Sequence, residues 1–363
     1  MKREGERRQP EVHRIKWRGA FFEWLRKRVA MAKIKFGIVG CGHIARVHAE
    51  EIMTLPGAEL KVVCDSNPRA LHDFSSRYGV SGFLYYGEML SEKALDVVVI
   101  CTPSGLHAEM GIRAARSGKH VLIEKPMALS LDEADRLIDV CKKEGVLLSV
   151  VLQNRYRPPF LALKSALEAG RFGKLSHASA TVRWNRDEAY FRNNPWRGKK
   201  NEDGGVVMNQ AIHSVDMLQW LMGPVDSVFA YTANRYRPIE AEDVGVAALK
   251  FKNGALGVVE AATTVYPRNL EETLAVFGEK GTAVIGGVKA GEIKTWRLGE
   301  ECAAEALTEI RSGHYAVLQD LVKAVTDGGR LAVDGCEGRK SLEIVLGIYR
   351  SSETGLPVSL PLI

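Results

Sequence analysis

The sequence predicts an α/β protein with an N-terminal doubly wound parallel sheet and a C-terminal α+β part built on a mostly antiparallel open sheet. From Ile34 to Gln153, short runs that are apolar on both faces alternate with helical patterns, as in a parallel sheet covered on both sides. Beyond Gln153 the runs alternate between apolar and polar residues, and Asn253-Gly254 predicts a hairpin turn between two of them. With 363 residues, 46% of them hydrophobic, the chain is long enough for two domains.

The N-terminal part reads as strands and helices in alternation. Strands are expected at 34–40, 60–65, 94–103, 120–124 and 146–153, and helices at 43–55, 68–78, 106–117 and 131–144. Ser130 and Glu133 form an S-x-x-E capping box that starts the last of these helices, and Gly145 ends it. We therefore expect one domain over residues 31–152.

The C-terminal part, residues 153–363, combines strands with a few longer helices. Strands are expected at 174–184, 227–233, 244–251, 255–264, 273–278, 282–287 and 293–298. Helices are expected at 159–169, from about 204 to 223, at 315–326 and at 337–351. We expect this second domain to bind the substrate and to carry the contacts of a homo-oligomer, either a dimer or a tetramer.

The net charge of +6 is confined to a basic N-terminal extension, residues 1–30. They hold ten Lys/Arg and four Glu, and the other 40 basic residues are balanced by 40 acidic ones, so nucleic-acid binding is not expected. Within the extension, "FFEWLRKRV" could form a basic amphipathic helix that touches a membrane surface or a partner. We favour the interpretation that translation starts at Met31, directly before the first strand.

The cysteines and the hydropathy indicate a reduced, cytoplasmic protein without a membrane span. None of the six cysteines forms a C-x-x-C pair, so neither a disulfide framework nor a zinc site is expected, and no metal is assigned. No apolar run reaches the roughly 18 residues that a membrane-spanning helix needs.

The first turn between a strand and a helix carries a dinucleotide-binding pattern. Gly40-Cys41-Gly42-His43-Ile44-Ala45 fits G-x-G-x-x-G/A, in which the glycines allow a tight turn and close approach of a pyrophosphate to the helix N-terminus. Asp65 ends the second strand 23 residues after Gly42, where an acid holds the ribose hydroxyls of NAD. A carboxylate there disfavours the 2′-phosphate of NADP, although Arg69 lies close in sequence. We expect NAD as the cofactor, with NADP the less favoured one.

The segment Glu124-Lys125-Pro126 ends the fourth strand, on the side of the sheet where doubly wound domains bind ligands. Proline restricts the backbone of Lys125 to extended conformations and so helps to aim its ammonium group. The alternative is that Lys125 only pairs with Glu124 at a domain edge.

A partner for Lys125 is expected on the helix that starts near residue 204. Asn209, His213 and Asp216 are spaced to share one helical face. The alternative is a core histidine bonded to Asp216. Upstream, "YFRNNPWRG" supplies Arg192, Trp196 and Arg197, which either line a sugar or acid site or tie down a loop.

From Met31 onward the chain resembles the glucose–fructose oxidoreductase/inositol dehydrogenase family. The resemblance rests on "GIVGCGHIA", "CTPSGLHAEM", "GKHVLIEKPMAL", "QNRY" and "GRKSLEIVLGIYRSSETGLPVSLP". It implies a Rossmann domain and places Lys125 and His213 beside the reacting carbon as catalytic residues. Many members have an aspartate where this chain has Asn209. Together "NNPWRG" and "MNQAIH" resemble the branch that oxidises UDP-N-acetylglucosaminuronic acid at the 3-position.

The pattern and the resemblance together give a set of candidate site residues. The cofactor is expected to contact Gly40, Gly42, His43, Ile44, Asp65, Thr102, Pro103, His107, Glu124 and Lys125. The substrate is expected to contact Arg155, Arg192, Trp196, Asn209 and His213.

We therefore expect an NAD(H)-dependent dehydrogenase acting on a secondary hydroxyl of a sugar, a sugar nucleotide or a cyclitol. Either His213 or Lys125 takes the hydroxyl proton, and the sequence does not distinguish the two. The first alternative is an NAD-dependent glycosidase that works by transient oxidation and elimination. The second is a non-catalytic NAD-sensing regulator, against which the presence of both Lys125 and His213 argues.

Overall fold

The computed structural model of the protein describes residues 33–298 and 311–362. The basic extension and Cys302 lie outside the described residues. In the described ranges, no helix combines the length and the apolar character that crossing a membrane requires.

The first sheet is parallel throughout and has the strand order of a doubly wound domain, which confirms the predicted fold class. Its order is β3-β2-β1-β4-β5-β6. The strands are β1 Ile34–Val39, β2 Ala58–Cys64, β3 Ser81–Phe83, β4 Val97–Ile100, β5 His120–Ile123 and β6 Leu148–Val150. Strand β3 was not predicted, because it has only three residues and two of them are exposed.

Five helices accompany this sheet: α1 His43–Thr54, α2 Pro68–Tyr78, α3 Tyr86–Leu90, α4 His107–Arg116 and α5 Leu131–Lys143. The predicted cap of α5 is present, since Ser130 Oγ accepts a hydrogen bond from the Glu133 N–H at 3.3 Å. The short α3 was not predicted. This cap fixes where the loop after β5 ends and α5 begins.

The second sheet has eight strands in the order β13-β12-β11-β7-β10-β9-β8-β14. Only β7 and β10 pair in parallel, so the prediction of a mostly antiparallel sheet is confirmed. The strands are β7 Leu175–Arg183, β8 Val225–Ala233, β9 Val244–Phe251, β10 Leu256–Ala262, β11 Glu271–Gly278, β12 Gly281–Gly286, β13 Glu292–Leu298 and β14 Val358–Ser359. The remaining helices are α6 Pro158–Glu168, α7 Glu188–Arg192, α8 Ile212–Met222, α9 Gly313–Asp327 and α10 Gly335–Thr354.

The helix expected from about residue 204 to 223 is interrupted, and this prediction was wrong. A π-helical turn, Val206–Gln210, precedes α8. Tyr349 and Glu242 supply acceptors outside the helix: the Tyr349 hydroxyl accepts the Met208 N–H at 3.1 Å, and Glu242 Oε1 accepts the Val207 N–H at 2.9 Å. The first N–H groups of the segment are thus satisfied without a regular first turn.

Helix α9 belongs to the core of the first sheet although it follows the second sheet in sequence. Its Val317, Leu318 and Leu321 are fully buried in the cluster that contains Phe36 and Ile38 of β1. We keep 31–152 and 153–363 as the proposed domain limits, with α9 returning to pack on the first domain.

Candidate active site

A cleft of about 1080 Å³ lies at the carboxyl ends of the parallel strands. One wall comes from the loops after β1, β2, β4 and β5. The facing wall comes from the second part of the chain and includes Tyr190, Trp196, Arg197, Asn209 and Gln210. The volume is at the upper end of the roughly 300–1,000 Å³ typical of ligand sites, which suits a ligand as long as a dinucleotide.

The turn after β1 has the shape that a pyrophosphate needs. Gly40 has φ +89°, and a Cβ there would lie 2.7 Å from the Cys101 carbonyl oxygen, so only glycine fits. At Gly42 a Cβ would meet nothing within 4 Å, and no side chain caps the helix α1 that follows. His43 and Ile44, the first residues of α1, line the cleft. The free N–H groups of this helix end therefore face a space that an anion can occupy.

Asp65 lies at the edge of the same turn, after β2. Its Oδ2 accepts the Cys41 N–H at 2.7 Å, and its Oδ1 accepts the Asn67 N–H at 2.7 Å. These bonds fix the carboxylate at the cleft, whereas Arg69 is exposed and is not among the residues that line it. Together with the glycine turn, the geometry fits NAD.

Replacing Asp65 by serine is expected to narrow the preference for NAD over NADP. Serine removes the charge that repels a 2′-phosphate, and it also removes an acceptor for ribose hydroxyls. Titration of the purified protein with NADH and with NADPH measures the two dissociation constants. A wild-type protein that already binds NADPH more tightly contradicts this assignment of Asp65.

Thr102, Pro103 and His107 follow β4 and line the cleft. The ring of His107 is held between two backbone carbonyls, with Nδ1 2.7 Å from the Pro126 oxygen and Nε2 2.8 Å from the Thr102 oxygen. Burial lowers the pKa of His107 below its usual value, and the two backbone hydrogen bonds oppose this effect. The residue therefore ties the loop after β4 to the turn at Lys125.

Glu124 is paired with His48 and not with the side chain of Lys125. Its Oε1 lies 2.8 Å from His48 Nε2, and both residues are buried. Burial alone would raise the pKa of Glu124, but the hydrogen bond and charge of His48 outweigh it and lower the pKa to about 2. The carboxylate is thus ionised at neutral pH. The alternative in which Lys125 serves only as the ion-pair partner of Glu124 does not match this arrangement.

Lys125 reaches across the cleft to the second domain. Its Nζ donates to the Asn209 carbonyl oxygen at 2.7 Å. Burial lowers the pKa of Lys125, and the carboxylates of Glu124 and Asp203 offset part of that effect. The peptide bond between Lys125 and Pro126 is cis. Lys125 thus presents an amine with a lowered pKa inside the cleft.

Asn209 is held by a buried carboxylate that the sequence did not indicate. Its Nδ2 donates to Asp203 Oδ1, and its Oδ1 accepts from Gln210 Nε2 at 2.6 Å. Burial raises the pKa of Asp203 to about 6, against the opposing effects of the Gly198 N–H bond and of the Arg197 and Lys125 charges. Asp203 therefore stabilises the π-helical turn that supplies the acceptor for Lys125.

His213 lies behind Gln153, which lines the cleft. Its Nε2 is 3.4 Å from Gln153 Nε2, and its Nδ1 is buried without a hydrogen-bond partner among the described residues. Burial first, and then the charge of Lys125, lower the pKa of His213 to about 3. The imidazole is therefore neutral at neutral pH.

Two expected substrate ligands lie elsewhere, which is a correction. Arg155 is buried and its donors are used by Asp216, at 2.6 and 2.8 Å, and by Glu337, at 2.8 Å. Both oxygens of Asp216 accept hydrogen bonds from Arg155, and no hydrogen bond joins Asp216 to His213 in the described residues. The alternative of a histidine bonded to Asp216 is therefore wrong too. Arg192 is exposed and lines a separate surface pocket. Trp196 does line the main cleft.

Other side chains near the site were also not among the sequence-based candidates. Gln153 and His314 line the cleft, and His48 supports Glu124 from α1. The burial of His48 could have been predicted from the sequence, because this residue falls on the same helical face as the buried Ala45, Ala49 and Ile52. His314 follows a segment outside the described residues and carried no pattern of its own.

Comparisons with known proteins agree with this geometry. Residues 34–152 match the oxidoreductase family with an NAD-binding Rossmann fold, and residues 160–284 match the GFO/IDH/MocA C-terminal domain. The chain is 28% identical to the myo-inositol 2-dehydrogenase of Thermotoga maritima over 343 residues, covering 90% of this chain and 98% of that protein.

Two solved structures of WlbA dehydrogenases are more similar in sequence. The enzyme from Bordetella pertussis is 40% identical, with a TM-score of 0.86, and the match covers 91% of this chain and all (100%) of that one. The enzyme from Chromobacterium violaceum is 39% identical, with a TM-score of 0.88, and the match covers 92% and 98% of the two chains. Both were crystallised with NADH and UDP-GlcNAcA.

Proposed function

The chain belongs to the GFO/IDH/MocA family of NAD(H)-dependent oxidoreductases, and on that premise we propose that it oxidises a ring hydroxyl of a UDP-hexosaminuronate, at the 3-position. That the protein is an NAD-dependent dehydrogenase of the sugar, sugar-nucleotide and cyclitol type follows from the family and from its relatives. The observation that carries the proposal is the position of Lys125, whose amine bridges the two walls of the cleft.

Lys125 is the group that takes the hydroxyl proton in this proposal. When bound, NAD supplies the acceptor for the hydride that leaves the same carbon. A base works best when its pKa lies near the working pH. Burial moves the pKa of Lys125 downward, toward neutrality, whereas the pKa of His213 is lowered to about 3 and moves away from it.

His213 has a hydrogen-bonding role in the same proposal. Because it is neutral, its Nε2 or Nδ1 can hold or donate a proton without adding a second positive charge beside Lys125. In the free protein Gln153 occupies its Nε2 side at 3.4 Å, a long contact that a substrate oxygen can replace. Glu124, kept ionised by His48, favours the protonated form of Lys125 that proton transfer produces.

The choice of a UDP-hexosaminuronate rests on relative similarity. The chain is 40% identical to a relative crystallised with UDP-GlcNAcA, against 28% for the inositol dehydrogenase. The "NNPWRG" and "MNQAIH" segments, which resemble that branch in sequence, provide Trp196 and Asn209 to the wall of the cleft formed by the second part of the chain.

Formation of NADH on mixing the protein with NAD and a candidate substrate tests the function. UDP-GlcNAcA, myo-inositol and free hexoses form the substrate panel, and we expect UDP-GlcNAcA to give the highest kcat/KM. A higher kcat/KM for inositol contradicts the substrate assignment. Release of UDP without net NADH would instead indicate the glycosidase-type reaction.

A homo-oligomer, either a dimer or a tetramer, formed through the second sheet is part of the proposal. The outer face of β8, β9 and β10 exposes Tyr231, Val246, Leu256 and Val258, which are 66%, 50%, 57% and 47% exposed. Tyr231 pairs directly with Val246, while Glu260 lies opposite Val246 and Lys250 opposite Leu256 on the neighbouring strands, so the face combines exposed apolar side chains with a few charged ones. We expect sedimentation to give an oligomer, and Val246→Asp to shift it toward monomers. A wild-type protein that sediments as a monomer contradicts this.

The cytoplasm is the proposed location. Cys41, Cys64, Cys101, Cys141 and Cys336 carry free thiols, as is usual in a reducing compartment.

A further inference from the structure

Two arginine side chains stack on the aromatic residues at the substrate side of the cleft. The Arg197 guanidinium carbon is 4.3 Å from the ring centre of Tyr190 and 4.6 Å from that of Trp196. The Arg186 guanidinium carbon is 5.1 Å from the same Tyr190 ring centre and 4.8 Å from that of Trp184. Stacking of this kind fixes the plane and direction of a guanidinium group.

Neither guanidinium has an acidic partner within residues 33–298 and 311–362: no carboxylate oxygen lies within 4.0 Å of either. Arg197 donates through Nη1 to the Tyr190 hydroxyl, and Arg186 donates through Nη2 to Gln210 Oε1 at 2.9 Å. The Nε atoms of both arginines are buried without a hydrogen-bond partner among those residues. A buried N–H donor without an acceptor is costly unless a ligand supplies the missing acceptor.

The surrounding charges leave this wall of the cleft positive. Asp203 and Glu242 are nearby acids, but the oxygens of Asp203 accept from the Gly198 N–H at 2.7 Å and from the amide of Asn209. Glu242 Oε1 accepts from the Val207 N–H and from the Tyr349 hydroxyl, each at 2.9 Å. Lys125 adds a further cation, and after burial the charges of Arg197 and Arg186 contribute to the lowering of its pKa. An anionic group on the substrate would balance this excess.

We infer that Arg197, with the Tyr190 hydroxyl beside it, is the subsite that binds the ring carboxylate of the substrate and selects uronates over neutral sugars. Arg197, Tyr190 and Gln210 all line the cleft. The Gln210 amide positions Tyr190: its Nε2 donates to the Tyr190 hydroxyl at 3.2 Å and to Asn209 Oδ1 at 2.6 Å, and its Oε1 accepts from Arg186. This inference rests on the proposed function, whose substrate carries both a carboxylate and a diphosphate.

The carboxylate fits this subsite better than the diphosphate does. Arg197 offers one planar guanidinium with an unpartnered Nε–H, which matches a singly charged, planar carboxylate. A diphosphate carries a larger charge and needs more donors than Arg197 and the Tyr190 hydroxyl provide.

Arg197→Met, compared with Arg192→Met as the control, tests the inference. Arg192 is exposed on α7 outside the main cleft, so its replacement removes the same charge nearby without altering the subsite. The ligands are UDP-GlcNAcA, UDP-GlcNAc, which lacks the carboxylate, and free N-acetylglucosaminuronate, which lacks the diphosphate. Both kcat/KM and the dissociation constant from calorimetry are measured for each ligand.

We expect Arg197→Met to lower kcat/KM and affinity for UDP-GlcNAcA by roughly 10- to 100-fold, the range of a hydrogen bond to a charged group. UDP-GlcNAc should change little with this variant, the free uronate should lose affinity as UDP-GlcNAcA does, and Arg192→Met should match the wild type. Arg197→Lys keeps the charge but not the planar guanidinium group, so its preference for UDP-GlcNAcA over UDP-GlcNAc should lie between those of the wild type and Arg197→Met. This variant keeps the inference testable if Arg197→Met folds poorly.

Equal losses for UDP-GlcNAcA and UDP-GlcNAc would overturn the inference and assign Arg197 to the diphosphate. No loss for either would also overturn it and leave Arg197 with a role in the loop alone. A wild-type protein that forms no NADH with any of the sugars contradicts the proposed function instead. In that case the calorimetric dissociation constants for UDP-GlcNAcA and UDP-GlcNAc still test whether Arg197 binds the carboxylate.

Discussion

Lys125→Met is expected to lower kcat by roughly 10²–10⁴-fold, the range typical of acid–base groups. Methionine keeps much of the length of the side chain but cannot accept the hydroxyl proton. The bond from Nζ to the Asn209 carbonyl at 2.7 Å is lost as well, so the two walls of the cleft lose one contact. Affinity for NAD should change far less, because the glycine turn and Asp65 lie at the other end of the cleft.

Steady-state kinetics with NADH detection, together with titration of the cofactor, measure this effect. Lys143→Met, on the exposed side of α5, is the matched control and should leave kcat unchanged. In the wild type, kcat/KM for oxidation should rise with pH as Lys125 loses its proton, and Lys125→Met should lack that rise. If turnover is nearly intact in Lys125→Met while the melting temperature falls, Lys125 is only structural.

His213→Ala is expected to have the second largest effect, a loss in kcat of about 10²-fold, at the lower end of the range for groups that move or hold a proton. Because burial and the Lys125 charge lower the pKa of His213 to about 3, its titration lies below the pH range in which Lys125 loses its proton. The rise of kcat/KM with pH should therefore survive in His213→Ala. The double variant should lose less than the product of the single losses, as groups that act as a unit do.

His213→Gln provides the control, since it retains a hydrogen-bonding side chain and should recover part of the rate. Thermal melts of all variants separate catalytic from structural effects. A pH profile that loses its acidic limb in His213→Ala would show that His213, and not Lys125, is the base.

The fold could be predicted largely because its signals are local. Apolar runs, glycine turns and the Ser130 cap each act over a few residues, and they placed most of the helices and strands. The π-helical turn at Val206–Gln210 was missed because its cause is not local. Tyr349 and Glu242, which satisfy its N–H groups, lie 141 and 35 residues away from the atoms that they bind.

The site divides in the same way. The positions of Gly40, Asp65 and Lys125 at the cleft could be predicted because these residues follow strand ends in a doubly wound sheet, where ligand contacts concentrate. Arg155 was assigned wrongly because its motif did not indicate that Asp216, 61 residues away, and Glu337, 182 residues away, use its guanidinium. Asp203 was missed because nothing in its neighbours marks an acid that is buried only when the loop folds onto Asn209.

The central claim is that Lys125 takes the hydroxyl proton in an NAD-linked oxidation of a UDP-hexosaminuronate. Single-turnover hydride transfer tests this claim most directly. The protein is mixed with NAD and UDP-GlcNAcA under conditions that allow one turnover, and NADH absorbance is followed for the wild type and for Lys125→Met. We predict about one NADH per site in both, formed roughly 10²-fold or more slowly in the variant. Equal rates in the two proteins, or no NADH from the wild type, would contradict the claim.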